Sequence, residues 1–296
     1  MSQLASEYLT TRELAELLHI KERKVYDLAA SGEVPCSRAT GKLLFPRHAV
    51  HAWIAGKGVG LDQAEPQTSC PNVFLGSHDP LLEWALRESD AEFATFFDGS
   101  SDGLERFARS EGMVTALHLY EPDTDDWNVP VVRSRFGNAS VVLVEFAWRE
   151  RGLIVPADDS QAISGLSELA GKRMVPRQSG AGSQALLDHL VGREGLTPGE
   201  IRFTAPARTE TDAALAVLEG KADAAFGLQG LARQCRLAFV PIMRERFDLL
   251  VRRRAWFDPP MQRFVRFCNS PAFTRKAEEL QGYDISGFGR VHFNGP

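Results

Sequence analysis

Three segments of this 296-residue chain place glycine and serine where an apolar run ends and a helical pattern begins. Gly76-Ser77-His78 follows "NVFL", Gly99-Ser100-Ser101 follows "FATFFD", and Arg177-Gln178-Ser179-Gly180-Ala181-Gly182-Ser183 follows "RMVP". Glycine lets backbone N–H groups approach a ligand, serine adds hydroxyl donors, and a helix N-terminus contributes the positive end of its dipole, so together they suit an anion. Thr209 and Thr211, ahead of "DAALAVLEGKADAAFG", add hydroxyls before a further helical run. One such turn needs no ligand, because serine is a good N-cap. The recurrence makes Ser77, His78, Ser100, Ser101, Arg177, Gln178, Ser179, Gly180, Gly182, Ser183 and Thr209 candidate ligand-binding residues. His78 is either a donor in that pocket or a satisfied structural histidine.

Such a site needs strands that end in one place. From about residue 71 to 235 short apolar runs alternate with helical ones, as in "NVFLGSHD" followed by "PLLEWALRE". The alternation predicts βα units with a largely parallel sheet, whose ligands bind at the carboxyl ends of the strands. "SVVLVEFAWRERGLIVPADD" is long enough to leave one unit and enter another, and "LAFVPIMRERFDLLVRR" can return, which gives two lobes joined by a double crossover. The basic runs in "RERGLIV" and "VRRRAWF" read as solvated or hinge charges.

A second constellation lies at the front. Residues 1–57 carry eight Lys/Arg against six Asp/Glu, whereas the rest carries 26 against 33. An acidic body is a poor general binder of nucleic acid, so any DNA contact should be local to the front. Thr10 and Glu13 form a T-x-x-E capping box at the head of a helix with Leu14, Ala15, Leu17 and Leu18 at helical spacing. His19-Ile20-Lys21 breaks it, Glu22 to Ala30 forms a second helix with Val25, Leu28 and Ala29 on one face, and Gly32 stops it. Lys21, Arg23 and Lys24 crowd the end that would enter a major groove. "VPCSRATGKLLFP" predicts a hairpin around residues 39–42, a wing with Arg38 and Lys42 near its tip. "PRHAVHAWIAG" then predicts a third helix, with Val50, Trp53 and Ile54 inward and Gly56 past its end.

The order from Tyr8 to Ile54 resembles the excisionase-type, MerR-related winged helix-turn-helix, through its Leu-Thr cap, Val-Tyr recognition helix, Gly-x-x-Pro exit and Phe-Pro entry to the last helix. The resemblance implies groove contacts from Lys21, Arg23, Lys24 and Tyr26 and phosphate contacts from Arg38, Lys42 and Arg47. Residues 71 to 290 resemble periplasmic-binding-protein-like domains through "GSHDPLLEWAL", "RERGLIVP", "GLSELAGKRMVPRQSGAGSQALLDHL", "VLEGKADAAFG" and "GYDISGFG". "RQSGAGSQ" also looks like the Ser-Gly loop of tungstate- and molybdate-binding proteins, and this type of body occurs joined to molybdopterin-biosynthesis proteins. The resemblance makes molybdate or tungstate the leading ligand. Arg177 and Gln178 depart from the transporter loop, and an arginine suits a carboxylate, a sulfonate or formate equally well.

The fold class expected is α/β: a winged helix-turn-helix at 1–57, a linker at 58–70 and a two-lobed periplasmic-binding-protein-like α/β domain at 71–296. The linker stretch is rich in Gly, Gln, Pro and Ser and lacks apolar periodicity. The chain shows no P-loop and no H-E-x-x-H, and neither catalysis nor a cofactor is expected. His118, His189 and His292 are scattered in segments that favour core or surface roles. Asp123, Asp125 and Asp126 read as a solvated acidic turn, since no calcium-loop Gly and Glu follow. Cys36, Cys70, Cys235 and Cys268 lack metal-ligand spacing and read as reduced thiols. With no charged start before an apolar run and no membrane-length apolar segment, a cytoplasmic protein is expected. The expected whole is a DNA-binding transcription regulator, dimeric on a two-half-site duplex operator, that senses a small anion. The competing readings are an architectural excisionase-like DNA protein and an anion-binding protein that contacts no DNA.

Overall fold

The computed structural model describes residues 7–37, 41–56, 70–159, 163–178 and 180–296. They fall into two compact units, Met1–Ser69 and Cys70–Pro296.

In the first unit, β1 (Tyr8–Leu9) leads into α1 (Thr11–Leu18). The Thr10 capping box forms as expected: the Glu13 N–H donates to Thr10 Oγ1 at 3.3 Å, and the Thr10 N–H donates to Glu13 Oε2 at 2.7 Å. His19 turns left-handed (φ 52°), and α2 (Glu22–Ala30) follows. Gly32 has φ 72° one residue past the Ser31 cap, the conformation that lets a chain leave a helix sharply. Leu9, Leu14, Ala15, Val25, Ala29, Val34, Phe45 and Val50 are buried together. Leu17, at the edge of the buried stripe of α1 about 160° round from Ala15, is exposed. Among the described residues the expected hairpin shows one antiparallel bridge, Ser37 to Leu44. Its second run continues as β2 (Phe45–Pro46) and pairs with β1. Burial of Phe45 against Leu9 accounts for the exchange of partner. Arg38, Ala39 and Thr40, the wing tip, lie outside the described residues. In α3 (Arg47–Gly56), Val50, Trp53 and Ile54 face the small core, and Gly56 is inside the helix.

The second unit is built on two long strands. Lobe A opens with β3 (Val73–Gly76), α4 (Pro80–Glu88), β4 (Ala94–Phe96), α5 (Ser100–Ala108) and β5 (Val114–Leu117). A small hairpin, β6 (Tyr120–Glu121) and β7 (Asp126–Trp127), and α6 (Val129–Phe136) precede β8 (Val141–Val155). Lobe B comprises β9 (Arg173–Val175), α7 (Gly182–Arg193), β10 (Arg202–Phe203), α8 (Glu210–Leu218), β11 (Ala224–Leu228) and α9 (Gln229–Gln234). The chain returns through β12 (Ala238–Arg252) to α10 (Pro259–Cys268), α11 (Pro271–Leu280), β13 (Tyr283–Asp284) and β14 (Val291–Asn294).

Each lobe's own strands are parallel, β4-β3-β5 in one and β10-β9-β11 in the other. The sheet as a whole is not, and this corrects the sequence expectation. β8 and β12 run antiparallel to each other over their whole length, β12 antiparallel to β5 and β8 antiparallel to β11. Fifteen residues at about 3.3 Å each make a strand of roughly 50 Å, long enough to serve both lobes. The cores are correspondingly separate. Phe74, Phe146, Phe247, Phe264 and Phe273 fill lobe A, while Leu153, Val155, Met174, Leu186 and Phe226 fill lobe B. Trp127 joins the lobe B cluster although its hairpin leaves from β5, so the β6–β7 hairpin straps the lobes together.

Candidate functional site

The strand ends converge where the lobes meet. At the end of β3, Gly76 has φ 99°, and at the head of α5 Gly99 has φ 113°, so both turns need glycine. The Gly99 N–H donates to the Gly76 carbonyl at 3.0 Å, which sets the following serines side by side. Ser77 Oγ and Ser100 Oγ lie 2.7 Å apart, both buried. From lobe B, the Gly180 carbonyl accepts the Ser101 N–H at 3.4 Å, and Gln178 Nε2 donates to the Asp98 carbonyl at 3.4 Å. Ser183, in the first turn of α7, is buried with its hydroxyl unpartnered.

The four helix starts differ in what already occupies them. α4 is capped by Asp79, whose Oδ1 accepts the Leu82 N–H at 2.8 Å. α8 is capped by Thr209, whose hydroxyl accepts the Asp212 N–H at 2.9 Å. α5 and α7 begin at Gly99 and Ala181 and carry no side-chain cap. Thr209 is thereby spent as a cap. His78 is turned to its own helix, with Nε2 3.1 Å from Glu83 Oε2. Ser179 lies outside the described residues.

Arg177 is also committed inside the protein. It is buried, with Nη1 3.1 Å from Glu210 Oε1, and it donates through Nε to the Ala207 carbonyl (3.1 Å) and through Nη2 to the Arg208 carbonyl (2.7 Å). Glu210 belongs to a buried chain of alternating charge that the sequence reading missed. Arg151 pairs with Glu210 at 3.1 Å and Glu245 at 2.7 Å, and Arg149 pairs with Glu245 at 2.5 Å and Asp79 at 2.8 Å. Burial opposes every one of these charges. Arg151 and Arg177 nevertheless hold Glu210 down to about 2, and Arg149 and Arg151 hold Glu245 well below the usual carboxylate range. Burial lowers the His118 pKa against the pull of Glu245, whose Oε2 lies 3.1 Å from Nδ1. Arg149 and Arg151 are thus neither solvated nor loose. Three guanidiniums meet three carboxylates, which leaves the cleft floor close to neutral. The available signal was parity: residues 149 and 151 fall on one face of β8, opposite Glu245 of β12.

In the first unit Lys21, Arg23, Lys24 and Tyr26 are exposed on or beside α2, while Val25 and Ala29 face the core. Lys42 is exposed as well, and Arg47 is half-buried. Asp123 and Asp125 are exposed on the β6–β7 hairpin, with Asp125 accepting the Tyr120 hydroxyl at 2.7 Å. Among the described residues no helix is long and apolar enough to cross a membrane.

Comparison with known proteins follows the same division. The profile of the helix-turn-helix domain family matches residues 8–58, and that of the PBP superfamily domain matches residues 83–269. A Bacillus subtilis (strain 168) protein, uncharacterized protein YvgK, is 26% identical over 95% of this chain and 96% of its own length. A Clostridium pasteurianum protein, named from the 5′ region of a ferredoxin 2Fe-2S gene, is 28% identical over 36% of this chain and 96% of its own. A solved putative phosphate ABC transporter substrate-binding protein with bound phosphate, from Clostridium perfringens, covers 72% of this chain and 98% of its own at 12% identity and a TM-score of 0.52. The tungstate ABC transporter structure from Geobacter sulfurreducens covers 69% and 95% at 13% identity and a TM-score of 0.50. At such identities the likeness is one of fold. Neither matched domain is of an enzymatic type. With a profile match over more than half its length, the chain belongs to the PBP superfamily domain family and carries a helix-turn-helix domain at its N-terminal end.

Proposed function

We propose that the protein is a cytoplasmic one-component transcription regulator whose front unit reads duplex DNA and whose two-lobed body closes on a tetrahedral oxyanion, molybdate or tungstate. The observation that carries the ligand class is the pair of uncapped helix starts, α5 and α7, brought together from the two lobes around Ser77, Ser100 and Ser183. Uncharged donors and helix dipoles favour a compact anion that can be wrapped on all sides. Arg177, the residue that spoke for formate or a sulfonate, spends its guanidinium on Glu210 and two carbonyls, which removes that support for an organic anion. The same fold is used by a phosphate-bound substrate-binding protein and by a tungstate transporter protein, which supports this class.

Ligand-binding roles go to Ser77, Ser100, Ser101, Gln178, Gly180, Ser183 and Ser179; His78, Arg177 and Thr209 support the walls, and Gly182 lies at the lobe contact. DNA roles go to Lys21, Arg23, Lys24 and Tyr26 in the groove and to Arg38, Lys42 and Arg47 at phosphates. A single unit this small has few base contacts, so the regulator works as a homodimer on two half-sites. Thermal unfolding of the full chain with molybdate, tungstate, sulfate, phosphate and formate tests the ligand. A ligand at about 100 times its dissociation constant adds roughly 2.7 kcal/mol, which raises the transition of the body. A selective rise with molybdate or tungstate is expected, and a rise with formate alone refutes the class.

A further inference from the structure

The lobes touch through two glycines facing backbone. A Cβ added to Gly182, the first residue of α7 in lobe B, would lie 2.7 Å from the His118 carbonyl oxygen and 3.2–3.3 Å from two atoms of its ring, in lobe A. Reciprocally, a Cβ on Gly99 of lobe A would lie 3.2 Å from the Gly180 carbonyl oxygen of lobe B. Gly99 needs glycine for its φ of 113°; Gly182 does not have a left-handed φ. It opens a helix, where alanine is the better former. Local conformation therefore gives no reason for glycine at 182, and the contact with His118 does.

The wall that Gly182 meets is anchored. The His118 N–H donates to Ser100 Oγ at 3.2 Å, and its Nδ1 is 3.1 Å from Glu245 Oε2. Glu245 is held by both Arg149 and Arg151. A side chain at 182 cannot push the His118 carbonyl aside without disturbing that buried chain and the Ser77–Ser100 hydroxyl pair. It would hold the lobes apart instead.

We infer that Gly182 is the closure stop of the ligand-binding body: its bare Cα sets how near α7 comes to α5, and so whether donors from both lobes reach one ligand. This rests on the oxyanion site proposed above and assigns Gly182 a role in closure where the sequence suggested ligand contact. The test compares the wild-type full chain with Gly182→Ala, Gly182→Val and, as a control on the same helix, Gly192→Ala, whose added Cβ would meet nothing within 4 Å. Hydrogen exchange of the Ser101 amide, which donates across the cleft to Gly180, reads closure without any ligand. Calorimetry with molybdate reads binding. Both Gly182 variants should exchange Ser101 faster than wild type while the helices keep their protection, and molybdate affinity should fall about tenfold or more in Gly182→Ala and further in Gly182→Val. Gly192→Ala should match wild type in both. Wild-type protection of Ser101 in either folded Gly182 variant overturns the stop, and the alanine variant keeps the comparison alive should the valine variant not fold. If wild type binds no molybdate, the ligand reading fails, while the exchange data still decide the stop.

Discussion

Asp248 on β12 is buried beside Arg246 and Asn128, with Oδ2 accepting from Arg246 Nε at 2.9 Å and from Asn128 Nδ2 at 2.8 Å and Oδ1 unpartnered. Burial raises its pKa from 3.8 to about 6, and Arg246, Asn128 and His292 only partly offset this. A carboxyl raised in the folded state binds its proton more tightly there than in the unfolded chain, so stability falls as pH rises between the two values. Asp248→Asn removes that dependence. Relative to wild type, the variant should gain on the order of 2 kcal/mol between pH 4 and pH 7, read by urea unfolding at each pH. A stability difference that stays flat with pH would mean Arg246 keeps Asp248 ionised throughout. Glu210 has the opposite sign: its pKa is depressed to about 2, so its contribution is present above the ordinary carboxylate range and lost as pH falls through that value.

Among the elements, α2 and the segment around Lys42 divide the proposed DNA contacts by type. Arg23 is exposed on the helix face opposite Val25, where a guanidinium can address base edges. Lys42 is exposed between the bridged Ser37 and Leu44, on the segment proposed to contact phosphate. Arg23→Ala should lose about 1–3 kcal/mol of discrimination at one base pair, whereas Lys42→Ala should weaken all sequences alike and flatten the salt slope by about one phosphate. Binding titrations against operator variants at several salt concentrations separate the two. Equal loss with no change in sequence preference or salt slope would remove α2 from the groove.

For the whole molecule, ligand control of DNA binding requires that closure carry different free energy in DNA-competent and incompetent states. A coupling of about 1–3 kcal/mol changes operator occupancy usefully. The proposed dimer is checked by sedimentation of the full chain with and without a two-half-site duplex. Two chains per duplex are expected, and one chain per duplex at saturation would refute the pairing.

Local signals carried much of this protein. The Thr10–Glu13 box, the His19 break, the Gly32 exit and the Asp79-Pro80 helix start are written within a few neighbouring residues, because caps and breaks act over one turn. The lengths of β8 and β12 were legible from long apolar-rich runs broken only by short charged stretches, and with them the two-lobed plan. The sense of the sheet was not, since alternating strands and helices cannot report that the crossover strands run antiparallel to both lobes. Nor did the sequence separate open helix starts from filled ones. Four Ser- or Thr-bearing turns look alike in sequence, and whether each is capped depends on which residue the helix start places at the cap, Asp79 and Thr209 with an acceptor or Gly99 and Ala181 without one. Arg149, Arg151, Arg177, Glu210 and Glu245 lie up to about a hundred residues apart, and only the pairing of β8 with β12 and the packing of lobe B make them one buried chain. Charges in a sequence are single letters; partners and burial, which decide whether they bind a ligand or one another, belong to the tertiary structure.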